Sequence, residues 1–388
     1  MPPKNPEVPA RDAGTPPALL LKSSALLRAM YDPAAGQFSY STRLAGGRYV
    51  NDFAHPLRIR YTVNSLAGVQ EAQRYHHLGW DLGPALDRYL ELRGAETTNI
   101  GDQGLLLHVL AVAGHVQTGA WFTRLAAVAG DPARLRALNG QEICWLLSGL
   151  VTYSRLSGTT EARAAARAVY DCLRGSFMNP DTLLPHYNLD WWRKQYTAFG
   201  AVVYFFKVLH EYAQAFNDSG AEKIFRDGVT RVLGLQGRQG EWPWFYNVNV
   251  GRVMDWYQIY SVHQDAMALL FLFPACDRGL AGARAAVTKS FKWMYGENEI
   301  NAPMMQAEPF FINRSLRQAG GNERVRRFLR ATAHSVRGTS APHPARGGVE
   351  INPECRSYHI GWILYAWAAR TDFPEFLHLR GLPAAARS

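Results

Sequence analysis

Apolar residues recur along most of the chain at the three- and four-residue spacing of amphipathic helices. Alternating Val, Ile and Thr residues, which would indicate strands, are scarce. Two short β excursions are expected, one pairing Gln37–Thr42 with Gly47–Asn51 and one over Trp244–Met254, where Gly251 turns the chain. The predicted helices are Pro17–Tyr31, Thr62–Leu78, Leu82–Arg93, Asp102–Val116, Ala120–Ala129, Gln141–Leu156, Thr160–Gly175, Gln195–Phe216, Ala221–Leu235, Ser261–Phe273, Gly282–Tyr295, Asn322–Val336 and Glu354–Ala369. The pattern therefore predicts an all-α protein.

The predicted helices are of two kinds. The first kind, such as Thr160–Gly175, is rich in Ala, Arg and Glu and has one apolar stripe, which is typical of an outer helix with one wet face. The second kind is apolar or small on most faces, which indicates burial on all sides, and it begins with a polar cluster. The six clusters are Tyr61–Asn64, Asp102–Gln103, Gln141–Glu142, Lys194–Tyr196, His263–Asp265 and Arg356–His359. Because the two kinds alternate, we expect two concentric rings of helices, an (α/α) toroid of about six helical hairpins.

The polar clusters are expected to share one end of the ring. The first three are spaced by about 40 residues, the period of a two-helix unit. Helix starts carry unpaired N–H groups and the positive end of the helix dipole. This end is therefore the predicted mouth of a cavity that favours negative charge or carbohydrate oxygen atoms. The alternative is that each cluster only caps its own helix, as Asp102 could do unaided.

The chain has 388 residues, of which 47% are hydrophobic and 19% charged, enough for a large core. No flexible linker interrupts it, so we predict one domain over residues 18–376. The proline-rich arm over residues 1–17 is expected to be disordered, and residues 377–388 form a tail. Neither a signal peptide nor an apolar run long enough to span a membrane is present, which predicts a cytoplasmic protein.

The formal net charge of the chain is +10, which affects the kinds of partner that it can attract. A basic surface attracts nucleic acid, anionic lipid or anionic polysaccharide, but a solvated arginine-rich helix face gives the same count. No nucleic-acid-binding motif accompanies the charge, so no nucleic-acid partner is predicted. The four cysteines are far apart and are expected to be ordinary buried residues. No metal-ligand spacing and no nucleotide-binding motif is present, so neither a metal nor a cofactor is predicted.

Aromatic and ionisable residues interleave most densely over Gln236–Asp265. Tryptophan and tyrosine offer a flat apolar face and one donor, which suits sugar rings or polyene chains. His263 titrates near neutral pH in its ordinary state, and Asp265 is placed to orient or assist it. The alternative is that His263 caps a helix and Asp265 forms an ordinary ion pair. The segment also supplies the predicted substrate-binding residues Trp242, Trp244, Asp255, Tyr257 and Gln264.

Two later segments add candidate chemistry. Glu297 and Glu299 lie beside Asn and Tyr in a loop and are candidate acids or bases, although a solvated loop is the simpler interpretation. Arg356 suits a carboxylate or phosphate through its fork of donors. Tyr358 is a candidate for proton transfer at the start of a strongly apolar helix. The remaining predicted substrate-binding residues are His359, Gln195, Tyr196 and Asp102.

The sequence resembles known toroid families. The spacing Q-x-x-x-G-x-W over Gln236–Trp242 is similar to the repeat of terpenoid cyclases and protein prenyltransferases, and the whole chain resembles the α/α-toroid superfamily, including the six-hairpin glycosidases. Tyr260–Ala268, Trp293–Glu299 and Glu354–Trp362 resemble uncharacterised toroid proteins linked to bacterial polysaccharide biosynthesis, which implies association with biosynthetic enzymes. The Asp-x-Asp-Asp motif of class II cyclases and the zinc ligands of prenyltransferases have no counterpart. The resemblance therefore implies the architecture and not those catalytic residues.

Three functions follow as hypotheses. The leading one is a carbohydrate-active hydrolase, lyase or epimerase that uses acid/base chemistry on an oligo- or polysaccharide. Its candidate catalytic residues are His263, Asp265, Glu297, Glu299 and Tyr358. The second is a terpenoid cyclase or prenyl-group enzyme that stabilises carbocations on an isoprenoid-type small molecule with aromatic faces. The third is a non-catalytic glycan-binding partner of a biosynthetic complex.

Overall fold

The computed structural model describes residues 15–318, 330, 332–334, 337–342 and 348–383. A π-helical turn, His263–Met267, precedes α11. The helices are α1 Ala18–Ala29, α2 Arg58–Tyr75, α3 Leu82–Arg93, α4 Ile100–Ala113, α5 Thr118–Ala129, α6 Pro132–Ala137, α7 Gly140–Ser157, α8 Thr160–Ser176, α9 Phe199–Phe216, α10 Ser219–Leu233, α11 Leu269–Asp277, α12 Ala283–Met294, α13 Ser357–Trp367 and α14 Pro374–Leu377. The predicted helix Asn322–Val336 lies largely outside the described residues.

The helices form the two predicted rings. Helices α2, α4, α7, α9 and α11 pack on one another in that order, the π-helical turn before α11 packs on α13, and α13 closes the inner ring against α2. Helices α1, α3, α5, α8, α10 and α12 lie outside them. Inner α4 buries ten of its 14 residues, whereas outer α3 buries three of its 12. This difference confirms the interpretation of the two helix kinds, because a helix apolar on most faces needs cover on all sides.

Glycines allow the inner helices to approach closely. A Cβ atom built on Gly68 of α2 would overlap the backbone of Gly361 of α13, where the ring closes. A Cβ on Gly149 of α7 would likewise overlap the carbonyl of Gly104 of α4. Small residues at both contact points bring the backbones together. A larger residue at any of these glycines would push the two helices apart.

Short caps fix where the inner helices begin. Helix α7 starts with a capping box, in which the Asn139 side chain accepts from the backbone N–H of Glu142 and the Glu142 carboxylate accepts from that of Asn139. Helix α4 starts at Asn99, whose side chain accepts from the N–H of Asp102. The capping interpretation of the polar clusters is thus correct for Glu142 of α7, whereas α2, α9, α11 and α13 begin without a side-chain cap. Asn99, rather than Asp102, is the cap of α4.

The strands are short and lie in the loops. The two predicted excursions are present, as the pairs β3–β4 and β6–β7, with Gly251 turning the second at a φ of 62°. However, Gln37–Phe38 pairs with Tyr31–Asp32 rather than continuing the predicted hairpin. Tyr196–Ala198, predicted as helix, is a strand that pairs with β6. The strands are β1 Tyr31–Asp32, β2 Gln37–Phe38, β3 Ser41–Ala45, β4 Arg48–Asp52, β5 Tyr196–Ala198, β6 Phe245–Asn247, β7 Arg252–Asp255, β8 Ile259–Tyr260, β9 Met305–Ala307, β10 Phe310–Ile312, β11 Ser315–Gln318 and β12 Val349–Asn352.

One hydrophobic cluster extends from Leu19 in α1 to Leu377 in α14. It joins both rings, since each outer helix places its apolar stripe against the inner helices. Among the described residues, no helix combines the length and the apolar content needed to cross a bilayer.

Candidate active site at the starts of the inner helices

The six inner helices begin at the same end of the ring. This follows from a chain of contacts between their first two turns that runs around the ring. Arg60 of α2 bonds Asp102 of α4 at 2.7 Å, and Asn99 before α4 bonds Glu142 of α7 at 2.6 Å. The remaining links are Trp145–Tyr204 between α7 and α9, Phe199–His263 between α9 and the π-helical turn, His359–Asp265 between α13 and that turn, and Tyr358–Tyr61 between α13 and α2. The prediction of one shared end is confirmed.

We call this end of the ring the amino-end mouth. It is defined by Arg60, Tyr61, Asp102, Glu142, Arg356 and Tyr358, which come from the starts of α2, α4, α7 and α13. Its floor is a layer of rings one turn further along the helices. Trp145, Tyr204 and Trp362 are buried there, with ring centroids 5.0 and 5.7 Å apart.

Asp102 is a nearly buried carboxyl in the amino-end mouth, with 6% of its surface exposed. Its Oδ1 accepts from Nε of Arg60 at 2.7 Å. Burial raises the pKa of Asp102 above its ordinary value, the Arg60 guanidinium opposes that rise, and the nearby charge of Glu142 adds to it. The net direction is upward, which favours the protonated acid compared with a solvated aspartate.

Glu142 lies beside Asp102 on the next helix. Its carboxylate accepts from the Asn139 N–H at 2.9 Å and from the Asn99 side chain at 2.6 Å. The mouth thus brings a carboxyl with a raised pKa close to a hydrogen-bonded carboxylate. Two carboxyl groups in different environments are the arrangement from which acid and base roles are built.

Aromatic rings form one wall of the amino-end mouth. Tyr40 stacks on His55 at 3.6 Å and on Tyr61 at 5.1 Å, and Tyr61 meets Tyr358 at 4.4 Å. Burial raises the pKa of Tyr358 to about 12, so its phenol keeps its proton at neutral pH. The wall offers flat faces together with hydroxyl groups, which suits a sugar ring.

Arg356 adds positive charge behind this wall. Its guanidinium lies 3.6 Å from the ring centroid of Tyr40 and bonds the Glu354 carboxylate, which also accepts from Arg314 at 2.5 Å. Burial lowers the pKa of Arg356 to about 10. Its Nε and Nη1 atoms are buried without a hydrogen-bond partner among the described residues. A buried guanidinium with two unused donors is suited to an anionic group.

His263, Asp265 and His359 form a buried layer next to the mouth. His359 Nε2 is 2.6 Å from Asp265 Oδ1, and each of the three residues is at most 3% exposed. Burial, and then the neighbouring His359, lowers the pKa of His263 to about 3, so its ring is neutral. Burial raises the pKa of Asp265, and His359 opposes the rise. The layer sits at a π-helical turn, a feature frequent at functional sites.

Other predicted residues surround this layer. The ring of Trp244 lies parallel to that of His263 with centroids 5.8 Å apart, and Trp244 is half-buried. Gln264 is fully buried and donates to the Tyr260 carbonyl at 3.2 Å. Gln195 and Tyr196 are half-buried at the strand before α9, where Tyr196 stacks on Phe245 at 5.2 Å.

The remaining predicted residues make contacts with other partners. Glu297 forms an ion pair with Lys292 at 3.4 Å, and its side chain is 66% exposed. Glu299 is buried and accepts from Trp293 Nε1 at 2.9 Å. Asp255 pairs with Arg330 at 3.2 Å, and Tyr257 is buried.

Trp242, which was predicted to bind substrate, packs in the hydrophobic core instead. It is fully buried, stacks on Phe199 at 5.1 Å and donates to Ser290 of α12 at 3.0 Å. Gln236 donates to the Gly240 carbonyl at 2.8 Å and to the same serine at 3.0 Å. Gly240 has a φ of 104°, and a Cβ there would overlap Lys289. The Q-x-x-x-G-x-W motif therefore fastens this loop to α12.

Several residues of the site escaped the sequence analysis. Arg60 precedes the first polar cluster and was not singled out, and Arg314 and Tyr40 lie in loops without a helical period. Glu142 was named only as a member of the polar cluster Gln141–Glu142, without a chemical role. Only the position of these residues could have indicated their role. A charged side chain in the first turn of a buried inner helix is expected to face the mouth, because the other faces of that helix are covered. Among the described residues, no three His, Cys, Asp or Glu side chains are arranged to hold a metal ion.

No protein-family model and no curated protein matches the sequence. Solved structures do match. The α-1,6-mannanase GH76A of Salegentibacter sp. HEL1_6 has a TM-score of 0.57 at 11% identity, over 90% of this chain and 97% of that chain. A possible member of the GH105 family from Salmonella enterica serovar Paratyphi A has a TM-score of 0.59 at 12% identity, over 98% and 99%.

An unsaturated glucuronyl hydrolase specific for heparin has a TM-score of 0.55 at 10% identity, over 90% of this chain and 94% of that chain. The chain shares the α/α-toroid fold of these structures. The predicted toroid is therefore confirmed. Since identities are this low, the likeness carries the fold alone, and function must be argued from the residues of the mouth.

Proposed function

We propose that this protein is a carbohydrate-active enzyme that carries out acid/base chemistry on an oligo- or polysaccharide bound at the amino-end mouth. The observation that carries the proposal is the Asp102–Arg60 pair beside Glu142, at the same end of the ring as the paired rings of Tyr61 and Tyr358. A carboxyl with a raised pKa next to a second carboxyl group in a different environment supplies both partners of acid/base catalysis. The likeness in fold to a mannanase and a glucuronyl hydrolase supports the substrate class.

The residues of the mouth take different roles in this proposal. Asp102 is the proton donor, because its raised pKa keeps the proton available. Glu142 is the base. Tyr358 hydrogen-bonds a substrate oxygen, and its ring, with that of Tyr61, stacks on a sugar face. Arg356 binds a carboxylate or sulfate of the glycan through its unused donors.

His263, Asp265 and His359 act through their neighbours. They are buried, so they position the start of α13 and with it Tyr358, which is one residue from His359. Substituting Asp265 should therefore disturb the geometry of the mouth without removing the reacting acid. Asp265 and His263 are positioning residues in this proposal, and Asp102 is the catalytic one.

The isoprenoid alternative has less support from the mouth. A cyclising enzyme stabilises carbocations on aromatic faces. Here the aromatic wall is accompanied by the cations of Arg60 and Arg356, which would repel a carbocation. Association with biosynthetic enzymes remains a proposal that follows only from the sequence resemblance.

The test is turnover of defined glycans by the full-length chain. Mannan-derived and uronate-containing oligosaccharides would be incubated with it, and the products followed by mass spectrometry and ultraviolet absorbance. Hydrolysis adds water, elimination creates an absorbing double bond, and epimerisation leaves the mass unchanged. We expect Asp102→Asn to lower kcat by about 10²–10⁴-fold, the usual contribution of a general acid.

Glu297→Gln is the matched control, because Glu297 is an exposed carboxylate away from the mouth. It should leave kcat unchanged. Full turnover by the Asp102→Asn variant would refute the assignment of the acid. Saturable binding of a glycan with no product after prolonged incubation would favour the non-catalytic binding partner instead.

A further inference from the structure

A second cavity lies at the opposite end of the ring, among the last turns of the inner helices. We call it the carboxyl-end cavity. Its volume is about 390 Å³, within the range of small-molecule sites. It is defined by His108, Thr152, Arg155, Lys207, His210 and Tyr365, which come from α4, α7, α9 and α13. The ring of Tyr365 lies 5.3 Å from that of Trp362 in the floor of the amino-end mouth, so the two sites are back to back.

The floor of the carboxyl-end cavity is a buried network of polar groups. Lys207 forms an ion pair with Glu211, which also accepts from Ser148 at 2.7 Å, and the ammonium lies 5.2 Å from the centroid of Tyr365. Burial alone would lower the pKa of Lys207, but Glu211 raises it well above its ordinary value. Burying such a pair costs desolvation, and apolar side chains of similar volume would hold the ring together as well. Stability alone therefore gives no reason for this network.

Two neutral histidines also line the cavity. Burial lowers the pKa of His108 to about 3 and that of His210 to about 4, so both rings are uncharged at neutral pH. His108 Nδ1 is 2.8 Å from the Thr152 hydroxyl. His210 Nδ1 is buried without a hydrogen-bond partner among the described residues. A neutral ring nitrogen with no partner is suited to a ligand hydroxyl group.

The charges around the cavity favour an anion. Four lining residues are basic (Arg74, Arg155, Lys207 and Arg370) and two are acidic (Glu71 and Glu211). Arg74 is paired with Glu71, Lys207 with Glu211, and Arg370 with Asp277 outside the cavity. Arg155 is exposed and makes no ion pair among the described residues. Arg74 and Arg155 also lie in the last turns of α2 and α7, where they offset the negative ends of the helices.

We propose that the carboxyl-end cavity binds a small hydroxylated anion of monosaccharide size, such as a sugar acid or a sugar monophosphate. Arg155 pairs with the acidic group at the rim. The ring nitrogen of His210 and the hydroxyl of Thr152 bond the ligand hydroxyls, and Tyr365 faces its carbon skeleton. This proposal does not rest on the function proposed for the amino-end mouth, since the two sites share no residue.

Isothermal titration of the full-length chain tests this site. The probes are glucuronate and glucose 6-phosphate, with glucose as the neutral comparison at matched ionic strength. We expect saturable binding of one equivalent of at least one anion, and binding of glucose at least tenfold weaker. Equal affinity for glucose would overturn the role of the charge, and the absence of saturable binding by either anion would overturn the site.

Variants locate the bound probe. Arg155→Gln should weaken anion binding at least fivefold, because Arg155 is the cation without a protein partner. Arg167→Gln, at an exposed arginine of outer helix α8, is the matched control and should bind as the wild type does. Asp102→Asn should also leave the affinity unchanged, which separates this site from the mouth. An affinity that Arg155→Gln does not change, or one that Asp102→Asn abolishes, contradicts the proposal.

Discussion

At Asp102, burial and a neighbouring arginine act on one carboxyl in opposite directions. Burial disfavours the carboxylate, whereas the guanidinium of Arg60, 2.7 Å away, stabilises it. The pKa that results is raised, so the arginine limits the rise and does not cancel it. Arg60 therefore sets the pH range in which Asp102 can donate a proton.

We expect Arg60→Gln to raise the pKa of Asp102 further. A general acid works in its protonated form, so activity falls as pH rises through its pKa. The basic limb of the kcat/KM profile should accordingly move to higher pH in this variant. The measurement is a pH–rate profile, supported by a carbon NMR titration of the Asp102 carboxyl, which needs no substrate.

Arg43→Gln serves as the comparison, because Arg43 is an exposed arginine on β3. Its profile should coincide with that of the wild type. A shift of the Asp102 titration to lower pH after loss of Arg60 would be incompatible with the proposed coupling.

At the residue scale, the sequence predicted which residues lie near one another at the helix starts, but not the direction in which each side chain points. His263, Asp265 and Tyr358 do converge at the starts of inner helices. Whether a residue points into the mouth or beneath it depends on its angle around the helix and, at His263–Met267, on a π-helical turn. Periodicity does not reveal such a turn, so the sequence predicted the same access to a substrate for His263 and Asp265 as for Tyr358.

At the scale of the elements, the ring closes where α2 crosses α13, and the two helix backbones approach closely at that crossing. Gly68 and Gly361 lie at this crossing, and a Cβ atom on either would overlap the backbone of the other helix. Neither glycine has a positive φ. Their role is therefore packing space and not an unusual backbone conformation.

We expect Gly361→Ala to destabilise the fold by about 1–3 kcal/mol or more, the usual cost of overpacking a core. The rigid neighbours are backbone atoms of Asn64 and Ser65, which cannot move without shifting α2. Urea unfolding followed by circular dichroism measures the change.

Gly119→Ala provides the contrast within another helix. Gly119 of α5 is exposed, and a Cβ there would meet nothing within 4 Å. This substitution should leave the free energy of unfolding unchanged or raise it by about 0.5 kcal/mol, because alanine loses less entropy in a helix. Equal effects of the two substitutions would argue against a tight crossing.

The sequence predicted the elements better than it predicted the loops. Leu82–Arg93 was placed at its observed bounds, and most other described helices within a few residues, but the short α6 and α14 were missed and the predicted helix Ser261–Phe273 begins with a π-helical turn. The strands β8 to β12 were not foreseen, since their pairing depends on partners far away in the chain, as between Ser315 and Asn352. The Q-x-x-x-G-x-W motif was recognised, but its role in fastening a loop needed the position of Ser290.

At the scale of the molecule, the two ends of the ring differ in chemistry because the inner helices all run in one direction. The amino-end mouth gathers positive helix ends and carries carboxyl groups such as Asp102 and Glu142. The carboxyl-end cavity gathers negative helix ends and carries cations such as Arg155 and Lys207. The sequence predicted the first end from its recurrent polar clusters. The carboxyl-end cavity was not predicted, because its polar residues occur one at a time within long apolar helices.

Closure of the ring joins the beginning and the end of the described chain in one core. Helix α1 packs against α13 and α14, and Leu27 is fully buried in that contact region. We expect Leu27→Ala to lower the free energy of unfolding by about 2–5 kcal/mol, the usual effect of removing a buried leucine side chain. Because the hydrophobic cluster is continuous, the whole chain should lose this stability together.

Leu21→Ala is the control on the same helix, since Leu21 is 40% exposed and should cost far less. Urea unfolding would be followed by tryptophan fluorescence, which reports on rings such as Trp145 and Trp362 in the inner helices, and by far-ultraviolet circular dichroism, which reports on all helices. Coincident transitions that both move in the Leu27→Ala variant are expected of one cooperative ring. If the two probes separated, with only part of the helical signal lost early, the chain would consist of independent units, and the single-domain prediction for residues 18–376 would have to be abandoned.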